Sequence, residues 1–120
     1  CIIACGVMVN EALLAARMLS EEEVSACVVD MHTLKPLDTK LIDKYIANCG
    51  CLVTAEDHSI IGGLGGAVAE HLSTTLSVPL EMVGVADKFG QSGSSGDLMK
   101  VMGLTHEDIV AAAHRAISRK

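Results

Sequence analysis

Three adjacent polar residues, Glu56, Asp57 and His58, have the side-chain types needed for acid–base chemistry. A carboxylate beside an imidazole can act as a general base, an orienting acid or a hydrogen-bonding pair. The three residues follow the apolar run 51–55 and precede a glycine-rich segment at 62–66. A buried strand, a polar tip, a flexible turn and a helix start are typical of loops at the carboxyl edge of a parallel sheet. The alternative is that these residues satisfy backbone groups of the turn or contact a neighbouring domain. We predict that they line a cleft or an interface.

The glycine-rich segment includes Gly62 and Gly63 and has the sequence Gly-Gly-Leu-Gly-Gly. Glycines before a helix can form a cradle for phosphate, because the amides at a helix N-terminus attract anions. The segment does not fit the G-x-G-x-x-G register, and it lacks the Lys-Ser/Thr pair of a P-loop. We therefore interpret these glycines as small residues that let the helix approach the strand closely. Gly62 and Gly63 remain candidates for the same cleft or interface.

A second candidate loop spans about ten residues, 87–96, and is rich in glycine and serine. This length exceeds the usual connection between elements, which indicates either a functional or a mobile segment. The candidate cleft or interface residues in this loop are Phe89, Gly90, Ser92 and Gly93.

The other potential ligands and nucleophiles are scattered along the sequence. The histidines form no H-x-x-x-H or H-x-H pair, and the serines lack a G-x-S-x-G setting. Cys49 and Cys51 form a single C-x-C with no second pair, and the five cysteines favour a reduced, cytoplasmic protein. These patterns favour neither a metal site nor a hydrolase nucleophile in this chain.

Strand-like and helix-like segments alternate along the chain, which predicts an α/β fold with parallel strands and right-handed crossovers. We expect three α/β/α layers with a mostly parallel four-stranded sheet in the order 2-1-3-4. The predicted strands are 1–5, 25–31, 51–55 and 80–85. Leu13, Leu76 and Ile117 belong to the apolar stripes of the first, third and last predicted helices, and we predict that they face the core. Thr105 to Asp108 predict a capped start for the last helix.

Length and charge limit the possible functions. The 120 residues suffice for one domain, 1–120, and the net charge of −6 without a basic face argues against nucleic acid as a partner. No apolar run reaches the roughly 18 residues that span a bilayer, so no membrane partner is expected.

Half of the residues are hydrophobic, which is high for so small a domain. We expect part of this apolar surface to contact another domain or subunit.

Four collinear motifs resemble the C-terminal domain of transketolase and its thiamine-diphosphate-dependent relatives. They begin at Gly6, His32, Thr54 and Phe89, and they read GVMVNEAL, HTLKPLD, TAEDH with GGLG, and FGQSG with GLT. The KPLD and EDH details look most like transketolase itself or the C-terminal subunit of a split transketolase. The abrupt start at Cys1 fits a piece cut after the antiparallel strand with which the family's domain begins.

The resemblance implies a parent enzyme that moves two-carbon ketol units between sugar phosphates, using thiamine diphosphate and Mg²⁺ or Ca²⁺. The expected partners are the remaining domains or subunit of that enzyme, which is a homodimer in the full assembly. The family's diphosphate signature is absent here, since Gly96-Asp97-Leu98 lacks its second glycine and its asparagines. The resemblance therefore implies that this chain alone binds no cofactor or metal, has no catalytic residue and is mainly structural.

Two other interpretations stay open from the sequence. Deoxyxylulose-phosphate synthases and the β chains of 2-oxo-acid dehydrogenases have related C-terminal domains. A protein of another class, a free-standing flavodoxin-like binding module, would share the predicted fold. Such a flavin binder would need stacking aromatic residues, and Phe89 and Tyr45 are the only aromatic residues here.

Overall fold

A computed structural model describes residues 1–86 and 95–120 of the chain. Strands and helices alternate up to the last strand, and two helices follow it. The elements are β1 (Ile2–Ala4), α1 (Met8–Glu21), β2 (Val28–Asp30), α2 (Thr39–Cys49), β3 (Leu52–Ser59), α3 (Leu64–Ser73), β4 (Leu80–Val85), α4 (Ser95–Met102) and α5 (His106–Ser118).

The four strands form one parallel sheet in the order β2-β1-β3-β4. The predicted fold class and strand order are confirmed. β1 and β3 are neighbours although a whole strand–helix unit separates them along the chain, so the strand order reverses between them. Their carboxyl ends therefore meet at the switch point, where parallel sheets open a crevice.

Helices cover both faces of the sheet. On one face, α1 and α5 pack against alternate residues of β1, β3 and β4, such as Ile2, Val53 and Val83. On the other face, α2 and α3 pack against the residues between them, such as Ile3 and Leu52. Burial on both faces explains why the central strands are continuously apolar rather than alternating.

Local signals at the helix ends agree with the sequence. Asp38 caps α2 by accepting a hydrogen bond from the Leu41 amide at 3.1 Å, and Gly50 ends this helix in the left-handed conformation with φ of 75°. Glycine is favoured at that position because it has no Cβ to clash. Thr105 and Asp108 form the predicted capping box of α5.

The structure corrects the predicted extent of two strands. β3 continues to Ser59, so Glu56, Asp57 and His58 lie within the strand and not in a loop after it. β2 is shorter than predicted, because only Val28–Asp30 pairs with β1.

Three residues predicted to face inward are exposed instead. Leu13 of α1 is 53% exposed, Ile117 of α5 is 37% exposed at the wall of an open cavity, and Leu76 follows the end of α3. Small residues take the close contacts, since Ala12, Ala15, Ala112 and Ala116 are fully buried where these two helices meet the sheet and each other. The buried faces of these helices thus combine alanines with large residues such as Leu19 and Ile109.

The last helix also closes the edge of the sheet at β4. Glu81 of β4 accepts hydrogen bonds from Arg115 at 3.0 Å and from Arg119 at 2.7 Å. Arg119 additionally donates to the backbone carbonyl of Leu80 at 2.8 Å. The end of α5 is thereby tied to an edge strand.

Candidate functional site

Glu56 is buried at the carboxyl end of β3, where it caps the neighbouring helix. Its side chain is 1% exposed. The Leu64 amide donates to Oε2 at 2.7 Å, and the Gly65 amide donates to Oε1 at 3.0 Å. A carboxylate that accepts two amides at a helix N-terminus is stabilised by both hydrogen bonds and by the helix dipole. Glu56 is thus used inside the fold.

The glycine at position 63 is required by this contact. A Cβ added to Gly63 would lie 2.2 Å from Glu56 Oε2, and one added to Gly65 would lie 2.7 Å from the Met82 sulfur. These glycines let α3 approach β3 and β4 closely, as the sequence interpretation proposed. Glycine is favoured at position 62 for a different reason, because the backbone φ of 76° there is one that residues with L side chains rarely adopt.

His58 lies between two carboxylates and is largely open to solvent, with 63% of its side chain exposed. Its Nδ1 is 3.7 Å from Glu56 Oε2, and its Nε2 is 3.5 Å from Asp57 Oδ1. Asp57 Oδ1 in turn lies 3.6 Å from the position that a Cβ on Gly6 would occupy. The structure therefore brings Asp57 next to the tip of β1, at the switch point between β1 and β3.

Cys5, at the tip of β1, was not predicted as a site residue. Burial raises the pKa of its thiol, and the negative charges of Glu56, Asp57 and Asp30 raise this pKa further. The thiol is therefore neutral near pH 7 and is a poor nucleophile. The sequence signal for Cys5 is its position as the last residue of the predicted strand 1–5.

Cys5, Glu56 and His58 form the one group of possible metal ligands found in residues 1–86 and 95–120. One ligand atom from each lies within 4.8 Å of the others. Thiolate, carboxylate and imidazole are ligands that Zn²⁺ accepts. However, both oxygens of Glu56 already accept helix amides, so the group is accounted for by the cap on α3.

The start of α3 does not fit a phosphate or diphosphate group for the same reason. The amides of Leu64 and Gly65, which would hold such an anion, are already bound by the Glu56 carboxylate. A phosphate at this position would have to displace a buried charge of the same sign.

Exposed apolar residues flank the polar pair at this edge. Val7, which follows β1, is 59% exposed, and Ile61, which follows β3, is 70% exposed. We call the set Val7, Asp57, His58 and Ile61 the carboxyl-edge surface. Ile61 was not predicted, although a large apolar residue inside a turn before Gly62 is an available signal. The predicted residues Phe89, Gly90, Ser92 and Gly93 lie outside the described residues.

The fold and this edge define the class of protein. It is a three-layer α/β/α domain in which the Glu56 carboxylate binds the helix amides at the carboxyl edge of the sheet. A family model described as "Transketolase, C-terminal domain" matches residues 1–109. The chain belongs to the transketolase C-terminal domain family.

The curated relatives include both whole enzymes and separate subunits. A 6-deoxy-6-sulfo-D-fructose transketolase subunit from Clostridium sp. is 46% identical over 119 residues, which are 99% of this chain and 37% of the relative. A putative transketolase C-terminal section from Methanocaldococcus jannaschii is 48% identical over 90% of this chain and 34% of the relative. A 1-deoxy-D-xylulose-5-phosphate synthase from Chlorobium luteolum is 45% identical over 86% of this chain and 16% of the relative.

A solved structure of a split-gene transketolase, described as an inactive beta4 tetramer, is also similar to this chain. It superposes with a TM-score of 0.96 at 48% identity, covering 99% of this chain and 39% of the solved chain. This chain therefore spans well under half the length of the relatives it matches.

Within the two described stretches of the chain, no helix is both long enough and apolar enough to cross a membrane.

Proposed function

We propose that this chain is the C-terminal part of a transketolase that transfers two-carbon ketol units between sugar phosphates. Two relatives support the proposal, since one 46% identical protein is a transketolase subunit and one 48% identical structure is a split-gene transketolase. The remaining domains or subunit of the parent enzyme would be its partners, and the full assembly would be a homodimer.

We propose that the role of this chain is architectural, and the observation that supports this role is the carboxyl-edge surface. Glu56 is engaged inside the fold, whereas Asp57 and His58 are exposed at the edge that also carries the exposed apolar residues Val7 and Ile61. Exposed apolar groups around a charged pair are typical of a surface that meets another protein segment. We propose that this surface contacts the rest of the enzyme.

Thiamine diphosphate and Mg²⁺ or Ca²⁺ would then be held by other parts of the enzyme. The occupied start of α3 supports this division, because the amides best placed to bind a diphosphate here already bind Glu56. When bound, the coenzyme would supply the carbanion chemistry of ketol transfer. This chain would contribute position and support.

Reversing a charge on the carboxyl-edge surface tests the architectural role. Asp57→Lys in the complete enzyme should weaken assembly and lower ketol transfer at least tenfold, since like-charge or unpaired contacts at an interface cost about 1.4 kcal/mol or more. Subunit assembly is measured by sedimentation, and activity by transfer from a ketose phosphate donor.

The matched control is Glu70→Lys, which makes the same change at an exposed residue of α3 away from this edge. The melting temperature of each variant chain alone shows whether the fold is retained. Unchanged assembly and activity in a folded Asp57→Lys enzyme would refute the proposed contact.

A second candidate activity is 1-deoxy-D-xylulose-5-phosphate synthesis, which the 45% identical relative from Chlorobium luteolum supports. The two candidates differ in their products, because only the second forms 1-deoxy-D-xylulose 5-phosphate. Analysing the products of the complete enzyme for transferred ketol units and for 1-deoxy-D-xylulose 5-phosphate distinguishes them.

A further inference from the structure

Four of the five cysteines gather at the amino edge of the sheet, opposite the carboxyl-edge surface. Cys1, Cys27 and Cys51 directly precede or lie just before β1, β2 and β3, and Cys49 ends α2. Parallel strands start at the same edge, so residues that precede them lie close together. All four cysteines line one open cavity of about 560 Å³.

Two of these thiols are already in contact. The sulfurs of Cys27 and Cys49 are 3.7 Å apart, and both residues are half-buried rather than sealed in the core. A disulfide requires about 2.05 Å between its sulfurs, so a further approach of less than about 2 Å is needed. Residues 24–26 have no regular secondary structure, whereas the Cys27 carbonyl accepts a hydrogen bond from the Ile2 amide at 2.8 Å, so the sulfurs would approach mainly by side-chain rotation.

We propose that Cys27 and Cys49 are a redox modification site that forms a reversible disulfide with hydrogen peroxide as the oxidant. The cavity gives a small oxidant access to the sulfurs. Burial and the contact with Cys49 raise the pKa of the Cys27 thiol, so peroxide oxidises the Cys49 thiol to a sulfenic acid and is itself reduced to water. The second thiol then attacks the sulfenic sulfur, and the oxygen leaves as a second water. In total, two thiols and one peroxide give one disulfide and two waters. The bond would fix the end of α2 to the start of β2.

The site is independent of the proposed function, because it lies at the other edge of the sheet from Asp57 and His58. Cys51 lines the same cavity and is two residues from Cys49. Cys51 could take the place of Cys49 as the disulfide partner of Cys27, so Cys51→Ala is the matched control.

The test treats the purified chain with hydrogen peroxide, blocks free thiols, and maps linked peptides by mass spectrometry without reduction. We expect a Cys27–Cys49 linkage that dithiothreitol reverses, with the same yield at two protein concentrations tenfold apart, because the reaction is intramolecular. Cys51→Ala should keep the linkage. Cys27→Ser should lose it and leave a sulfenic acid on Cys49 that dimedone traps.

Three results would overturn the proposal. They are a linkage that pairs other cysteines, a yield that rises with protein concentration, and oxidation to sulfinic acid without any linkage. A thermal melt of each variant before oxidation confirms that the compared proteins are folded.

Discussion

One buried carboxylate determines the geometry of the carboxyl edge. Glu56 joins β3 to the first turn of α3 through two backbone amides, at 2.7 and 3.0 Å. These amides have no partner within the helix, as is general for the first turn. Removing the carboxylate would leave buried donors without an acceptor, which costs more than the hydrogen bonds themselves contribute.

Glu56→Gln should therefore lower the free energy of unfolding by about 2 to 3 kcal/mol. Glutamine keeps the shape but offers one acceptor oxygen, and its amide group faces a second donor. The measurement is urea unfolding of the chain. Glu70→Gln, an exposed residue on the same helix, should stay within about 0.5 kcal/mol of wild type.

The same contact can be tested from the glycine side. Gly63→Ala should be strongly destabilising, because its Cβ would meet Glu56 Oε2 at 2.2 Å. The φ of −101° at Gly63 is accessible to alanine, so the penalty comes from the carboxylate rather than from the backbone. Gly63→Ala should cost less in a Glu56→Ala background, and equal costs in both backgrounds would contradict this account.

At the scale of elements, α5 depends on the hydrogen bonds at its start. Thr105 Oγ1 accepts from the Asp108 amide at 3.4 Å, and Asp108 Oδ2 accepts from the Thr105 amide at 2.9 Å. The next residue, His106, donates its amide to Glu11 of α1 at 2.6 Å. The cap therefore fixes the helix start at the point where α5 joins α1.

Thr105→Ala should lower the free energy of unfolding by about 1 kcal/mol, the usual cost of losing an N-cap side chain. Thr105→Ser keeps the hydroxyl and should lose less than half as much. Urea unfolding of both variants gives the comparison. Equal losses would mean that the threonine methyl, and not the cap, stabilises this end of α5.

Predictability from the sequence differed among these elements. The capping box was predictable because Thr105 and Asp108 interact within one turn. The sheet order was predictable because parallel strands follow few connection rules. The exposure of Ile117 was not predictable, because tertiary packing buries alanines such as Ala112 and Ala116 at these helix contacts instead. For Glu56 the sequence left two roles open, in a cleft or as a partner for backbone groups of the turn, and the hydrogen bonds to residues eight and nine positions along the chain are of the second kind.

At the scale of the whole molecule, the two edges of the sheet have different chemistry. The carboxyl edge carries Asp57 and His58 with exposed apolar neighbours, whereas the amino edge holds a cavity lined by thiols. A contact with the rest of an enzyme at one edge would leave the other edge free to react.

The chain alone should not respond to the coenzyme of the parent enzyme. Thiamine diphosphate with Mg²⁺ should leave its melting temperature unchanged, because the start of α3 offers the diphosphate no free amides at Leu64 and Gly65. Thermal-shift titration checks this, with the complete enzyme as the positive control. A concentration-dependent rise for the chain alone would show that it carries a coenzyme site.

The tie between Arg119 and Leu80 has a consequence for solubility. β4 is an edge strand of the sheet, and a row of unpaired carbonyls on such a strand invites pairing with other molecules. The Arg119 guanidinium occupies the Leu80 carbonyl and brings a positive charge to the same edge. Arg119, directly after α5, thus hinders the pairing of β4 with a strand of another molecule. Removing the last few residues of the chain should expose this edge of the sheet and promote aggregation.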